Sequence, residues 1–212
     1  GIDRVAGYNP PMTTFDYIDG TLTCDGLPLP ALAERFGTPL YIYSAATIRE
    51  RVARVQAAFA PLRPELYYAV KANGNLGILR LLREAGVGFD IVSGGELARA
   101  LAAGADPARI AFAGVGKTAA EMAAALEAAV GWFNVESADE AVRLNALAAT
   151  RGLRARVALR LNPDVEPDTH KHIRTGGAAS KFGLPLDQAH ALARGWGAFP
   201  ALDLAGAHIH IG

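Results

Sequence analysis

"ELYYAVKANGN", residues 65–75, holds the reading on which the fold turns. A run suited to a strand, Leu66 to Val70, ends on a lysine, Lys71. Ala72, Asn73, Gly74 and Asn75 follow at once, a stretch that stops a strand and opens a helix. The same passage from strand to helix recurs downstream. Strand-like runs stand at "GFDIVS" (88–93), "RIAFAG" (109–114), "GWFNVES" (131–137) and "RARVALRLN" (154–162), roughly 22 residues apart, each followed by an Ala/Leu-rich helical stretch. That rhythm is a βα repeat.

The joins support it. Ser93 with Glu96, Thr118 with Glu121, and Ser137 with Glu140 each read S/T-x-x-E directly after a strand, the pattern of a capping box. Beyond "RLN" the spacing lengthens through a polar, Gly-rich loop, "PDVEPDTHKHIRTGGAASKFG" (163–183). A helix is expected from about Leu186 to Gly195, then a sixth strand in "LDLAGAHIHIG" (202–212). Ahead of the repeat, a short strand is expected near Phe15 to Ile18, helices near Leu32 to Phe36 and across 46–59, and a strand at "LYIYS", 40–44. Six consecutive strands with short joins suit a (β/α)8 barrel or a doubly wound open sheet.

Composition narrows the function classes. Of 212 residues about half are apolar, enough for a full core. Lys plus Arg and Asp plus Glu balance at 21 each, which speaks against a nucleic-acid groove or an acidic-membrane patch and for a small-molecule partner. Cys24 is the one cysteine, so no intramolecular disulfide framework exists, and a cytoplasmic location is expected. The first twenty residues lack the apolar core of a secretory signal. The chain lacks an initiator Met and stops at the end of a strand, so a fragment is expected, at least at the C-terminal end.

In a barrel the strand C-termini surround the active site, so Lys71 would point an amine into a partly desolvated mouth. Desolvation disfavours the ammonium and frees the nitrogen to form a Schiff base with a carbonyl. The plainer alternative is a strand-end lysine reaching solvent. Other strand ends are polar as well: Asp90, Glu136, Arg160 and Asn162, and the pair His208 and His210. Period 2 puts the two histidines on one side of their strand. Without a convergent carboxylate or cysteine set, no metal site is expected, and an imidazole laid flat against an aromatic cofactor is the better use. Glu96 has a bland explanation as the capping partner of Ser93.

A competing motif is "GVGKTA", 114–119, which fits G-x-G-x-x-A between strand and helix, with Glu136 ending the next strand, as in a dinucleotide-binding oxidoreductase using Gly114 and Gly116. As a phosphate loop it fails, because Ala111 stands where the first glycine belongs. A tight turn into a capped helix explains the stretch equally well.

Taken in order, "YYAVKAN", "GFDIVSGGEL", "FNVES", "LRLNPDV", "H-x-x-I-x-T-G" at 170–176 with "SKFG" at 180–183, and "HIHIG" resemble the pyridoxal-phosphate-dependent basic amino acid decarboxylases of the alanine-racemase fold. The resemblance runs from about Phe15 to the end. Within that family it is nearest the branch that converts meso-2,6-diaminopimelate to L-lysine and CO2; sister branches act on arginine, ornithine or carboxynorspermidine. It implies an incomplete (β/α)8 barrel of about six strands at 45–212. Residues 1–44 would form a segment that packs with a C-terminal β domain lying beyond this chain. It also implies pyridoxal 5'-phosphate as cofactor and a homodimer in the full-length protein. Lys71 matches the lysine that holds the cofactor, His210 the histidine stacked on its ring, Asp90 the acid near that lysine, and Arg160 an arginine beside the cofactor. Glu96 falls where the family has an acidic residue near the site. The "GVGKT" turn has a family counterpart, a barrel loop without nucleotide function. Family features expected after "HIHIG" lie past Gly212: a serine, a glycine-rich phosphate loop, a Glu-Pro-Gly-Arg stretch whose glutamate meets the pyridinium nitrogen, and a cysteine donated across the dimer. The 212-residue chain alone is therefore expected to be inactive.

Overall fold

The computed structural model describes residues 14–163 and 182–210. Two units are set apart within it, Gly1–Pro64 and Glu65–Gly212. In the first, β1 (Phe15–Ile18), β2 (Thr21–Cys24) and β3 (Leu27–Pro28) form an antiparallel meander. Asp19-Gly20 and Asp25-Gly26 join them with positive φ at all four residues, the requirement of a two-residue type I′ turn. Helices α1 (Leu29–Phe36) and α2 (Ala45–Phe59) follow, the latter started by the Ser44 hydroxyl, which accepts from Thr47 N–H at 2.9 Å. The strand expected at "LYIYS" does not form: 40–44 is irregular, with Tyr41 85% exposed. Apolar alternation there has no neighbouring strand among the described residues to pair with, and a strand needs a partner for its backbone groups.

The second unit carries the repeat. Its elements are β4 (Tyr67–Ala69), α3 (Leu76–Glu84), β5 (Gly88–Ile91), α4 (Gly94–Ala102), β6 (Ile110–Phe112), α5 (Ala119–Glu127), β7 (Trp132–Val135) and α6 (Ala138–Thr150). Then come β8 (Ala155–Asn162), a two-residue β9 (Leu184–Pro185), α7 (Leu186–Arg194) and β10 (Leu202–Ile209). All pairings are parallel, in the order β10-β8-β7-β6-β5-β4, with β9 beside β8. The six main strands thus lie in chain order. A doubly wound sheet reverses its order at a switch point, whereas a (β/α)8 barrel never does, so the architecture is a partial barrel. The loop motif at 170–176 and the "SK" of "SKFG" lie outside the described residues.

The apolar strands are buried on both sides as this arrangement demands. Phe89, Phe112 and Phe133, one on each of three adjacent strands, are all but inaccessible, and the last two rings sit 6.3 Å apart. Helices add Ile78, Leu79 and Leu82 from α3, Met122, Ala125 and Leu126 from α5, and Ala141, Leu144 and Ala148 from α6, the three-and-four spacing of a helix face turned to the sheet. Each large side chain so buried contributes about 1.5–3 kcal/mol. Gly131 marks how closely the turns leading into β6 and β7 approach, since a Cβ there would stand 1.9 Å from the Ala108 carbonyl oxygen.

All three helix starts read from S/T-x-x-E occur where expected, yet only one is a full capping box. Thr118 accepts from Glu121 N–H while the Glu121 carboxylate returns to Thr118 N–H. The hydroxyls of Ser93 and Ser137 do accept from Glu96 and Glu140 N–H. Their glutamates, however, reach one residue further back, to Val92 N–H at 2.7 Å and Glu136 N–H at 3.1 Å. These two carboxylates therefore tie the ends of β5 and β7 to the helices that follow.

Candidate active site

At the carboxyl ends of the parallel strands lies a cavity of about 370 Å³, bordered by Lys71, Asp90, the Gly114–Gly116 turn, Arg160, Phe182, His208 and His210 among others. Successive βα units supply these residues, as expected for a barrel mouth. Strand register explains the convergence. Asp90 on β5 is level with Ala69 on β4, so Lys71, in the 3₁₀ turn Val70–Ala72 just past β4, stands above it. Arg160 on β8 and His208 on β10 are direct register partners, which sends their side chains to one side of the sheet. His210 lies two residues on and borders the same cavity, its ring edge-on to that of His208 at 6.2 Å.

Lys71 is solvent-exposed, and among the described residues its ammonium has no hydrogen-bond or ion-pair partner. Asp90 is its electrostatic counterpart. Burial pushes the Asp90 carboxyl up to about 6; the Lys71 charge opposes this most, Glu96 adds to it, and Arg160 and Lys117 pull back. Burial also lowers the pKa of both histidines, helped by the Arg160 cation. Both shifts favour the neutral imidazole.

Arg160 is itself immobilised. Its Nη1 donates to both Glu136 carboxylate oxygens at 3.0 Å, with both side chains almost wholly buried. Its guanidinium carbon lies 5.0 Å from the Phe182 ring centroid, a cation over an aromatic face. Glu136 also accepts from Gly114 N–H at 2.8 Å. Gly114 has φ of +96°, which a residue with a side chain rarely adopts, and this lets the turn present bare backbone as a cavity wall.

The sequence-derived site residues Lys71, Asp90, Arg160 and His210 therefore border one cavity, and His208 joins them. Glu96 stands behind, its carboxylate on the backbone of Val92. Glu136 supports Arg160 from below. Not foreseen were Phe182, the turn wall 114–116, and the burial of Lys117, which donates to Gly114 O, Asn134 O and Glu140 Oε1 at 2.7–2.8 Å. The sequence signal for Lys117 lies inside "GVGKTA", which fits the dinucleotide-type G-x-G-x-x-A turn. In the fold that reading is closed off, because Gly114 N–H and the Lys117 ammonium are already spent on protein acceptors.

A pyridoxal phosphate fits these residues. The cavity has the size of a small-ligand pocket. It presents a free amine beside a carboxylate, a fixed guanidinium, and neutral imidazoles whose flat faces can lie against an aromatic ring. His208 Nδ1 is buried with no hydrogen-bond partner among the described residues, an atom that a polar ligand would satisfy.

Comparison with known proteins agrees with this chemistry. Residues 45–212 match the family described as pyridoxal-dependent decarboxylase, pyridoxal binding domain. The chain is 48% identical over 201 residues to a diaminopimelate decarboxylase of Pseudomonas aeruginosa, covering 95% of this chain and 48% of the relative. It is 50% identical over 192 residues to one of Neisseria meningitidis, covering 91% and 47%. The crystal structure of diaminopimelate decarboxylase from M. jannaschii with L-lysine superposes with a TM-score of 0.86 at 37% identity, over 95% of this chain and 49% of that one. The chain thus spans about half the length of the curated relatives it matches.

Proposed function

The chain belongs to the pyridoxal-dependent decarboxylases, through their pyridoxal binding domain, and from that membership we propose that the protein decarboxylates meso-diaminopimelate to L-lysine and CO2 with pyridoxal 5'-phosphate. The observation that carries this reading is the convergence of Lys71, Asp90, Arg160 and His210 on one cavity at the strand ends. The choice of substrate rests on the 48–50% identity to diaminopimelate decarboxylases. The L-lysine named in the M. jannaschii complex is the product such a reaction would release.

When bound, the cofactor supplies the electron sink that accepts the electron pair left as the bond to the carboxylate breaks. The chain's own residues supply position and protons. Lys71 Nζ is the amine that would hold the cofactor. Asp90, with its carboxyl near 6, can hold or release a proton beside that nitrogen around neutral pH. His210, whose cation burial and Arg160 disfavour, offers a flat wall that would keep a planar ring in one orientation. Arg160, held by Glu136, is a fixed positive charge that need not reorganise during reaction.

The test is CO2 release by the full-length gene product from a panel of meso-diaminopimelate, arginine, ornithine and carboxynorspermidine. Turnover centred on diaminopimelate is expected, and preference for another member of the panel overturns the substrate. A homodimer and a cytoplasmic location belong to the same proposal. Sedimentation of the full-length product at twice its chain mass is expected for the dimer.

A further inference from the structure

The turn that matched a nucleotide fingerprint enters the function proposed above only as a cavity wall, yet it carries a lysine whose side chain is 1% exposed. All three donors of the Lys117 ammonium are used, on Gly114 O at 2.8 Å, Asn134 O at 2.8 Å and Glu140 Oε1 at 2.7 Å. The other Glu140 oxygen accepts from Glu136 N–H at 3.1 Å. Glu136 in turn grips Arg160 and Gly114 N–H. The chain of contacts runs without a gap from Lys117 to two walls of the cavity, and it holds Gly114 by both its carbonyl and its N–H.

A buried ion pair is a poor device for stability, because desolvation offsets most of its attraction and an apolar pair of the same volume often does as well. What an apolar pair cannot do is hold three carbonyl or carboxylate oxygens and a backbone N–H in fixed directions. We propose that Lys117 and Glu140 are positioning residues for the cofactor cavity. They fix the Gly114 turn that walls the cavity and the Glu136 carboxylate that holds Arg160 in place. The inference rests on the decarboxylase reading only for the identity of the ligand.

The decisive variant is Lys117→Met together with Glu140→Leu in the full-length gene product, which removes both charges and leaves neither unpaired. Two readouts separate the inference from the reading beneath it. In cofactor-free protein, amide exchange at Gly114 is expected to quicken by about tenfold or more, although its acceptor Glu136 is untouched, while the urea midpoint stays near wild type. In protein titrated with pyridoxal 5'-phosphate, the visible band of the lysine-bound cofactor is expected to saturate only at higher concentration. In the same variant kcat is expected to fall on the order of a hundredfold. Wild-type exchange at Gly114 with wild-type cofactor affinity in the folded double variant overturns the proposal and leaves the pair a strut of the fold. If wild-type protein binds no pyridoxal phosphate, the decarboxylase reading falls, and the Gly114 exchange still decides the positioning role. Should the double variant fail to fold, Lys117→Arg keeps the charge but cannot reproduce three contacts from one nitrogen. A folded Lys117→Arg with wild-type cofactor affinity overturns the proposal equally.

Discussion

Lys71 and Lys117 both follow a strand of the same parallel sheet, and both precede a capped helix, yet they meet opposite surroundings. Lys71 is exposed in a cavity, with no protein partner among the described residues. Lys117, two units along, is buried with every donor engaged. The difference teaches that the end of a barrel strand makes a lysine available for chemistry only where the neighbouring ends leave it unpartnered. Where the next strand supplies a carbonyl and the next helix a carboxylate, the same residue becomes a fixed support.

Substitutions can break that contrast, and the largest effect is expected at Lys71. Lys71→Ala should abolish the absorbance of the lysine-bound cofactor and lower turnover by roughly four orders of magnitude or more, with little change in urea stability. Retained turnover would remove Lys71 from the chemistry. Lys117→Ala should do the reverse in solution, costing about 3–5 kcal/mol in urea unfolding because it strands the Glu140 carboxylate. A cost below about 1 kcal/mol would show that the pair is not held as described.

Asp90 sharpens the comparison through pH. Its carboxyl is raised from 3.8 to about 6 by burial, so between those values the folded chain binds more protons than the unfolded one. Stability is therefore lost as pH rises through this window, and the deficit is complete above it. Asp90→Asn should then be more stable than wild type at pH 7, by up to about 3 kcal/mol, and the advantage should vanish below about pH 4. An advantage that persists unchanged at low pH would assign the effect to packing instead. The smallest effects belong to the two helix starts. Thr118→Ala, which removes one half of the capping box, and Asn75→Ala, which removes the acceptor for Gly77 N–H at 2.8 Å, should each cost about 1 kcal/mol. Equal, small costs would confirm that the two lysines differ by their partners and not by the turns that carry them.

Much of this was legible before any coordinates. The strand runs from "GFDIVS" to "RARVALRLN", the positions of Ser93, Thr118 and Ser137 at helix starts, and the shared side of His208 and His210 all depend on neighbours a few residues away. The Asp-Gly turns of the first unit are equally local but were not read from the sequence, because β2 and β3 are too short to stand out as periodic runs. The strand expected at 40–44 shows the limit from the other side: alternation suits a strand, but pairing depends on a segment elsewhere in the chain.

The sequence by itself determined the βα order, the places where helices begin and the set of polar residues at strand ends. Each follows from backbone hydrogen bonding and side-chain periodicity over short spans, which local residue types encode directly. Only the tertiary structure decided which of those ends meet. The register of β8 against β10 brings Arg160 level with His208, the pairing of β6 with β7 brings Lys117 to Asn134 O, and Glu96 and Glu140 turn from their caps to the strand behind them. Burial and partner identity are properties of residues far apart in the chain, so the lysine of a turn that fits a dinucleotide-type pattern folds here into a buried ion pair.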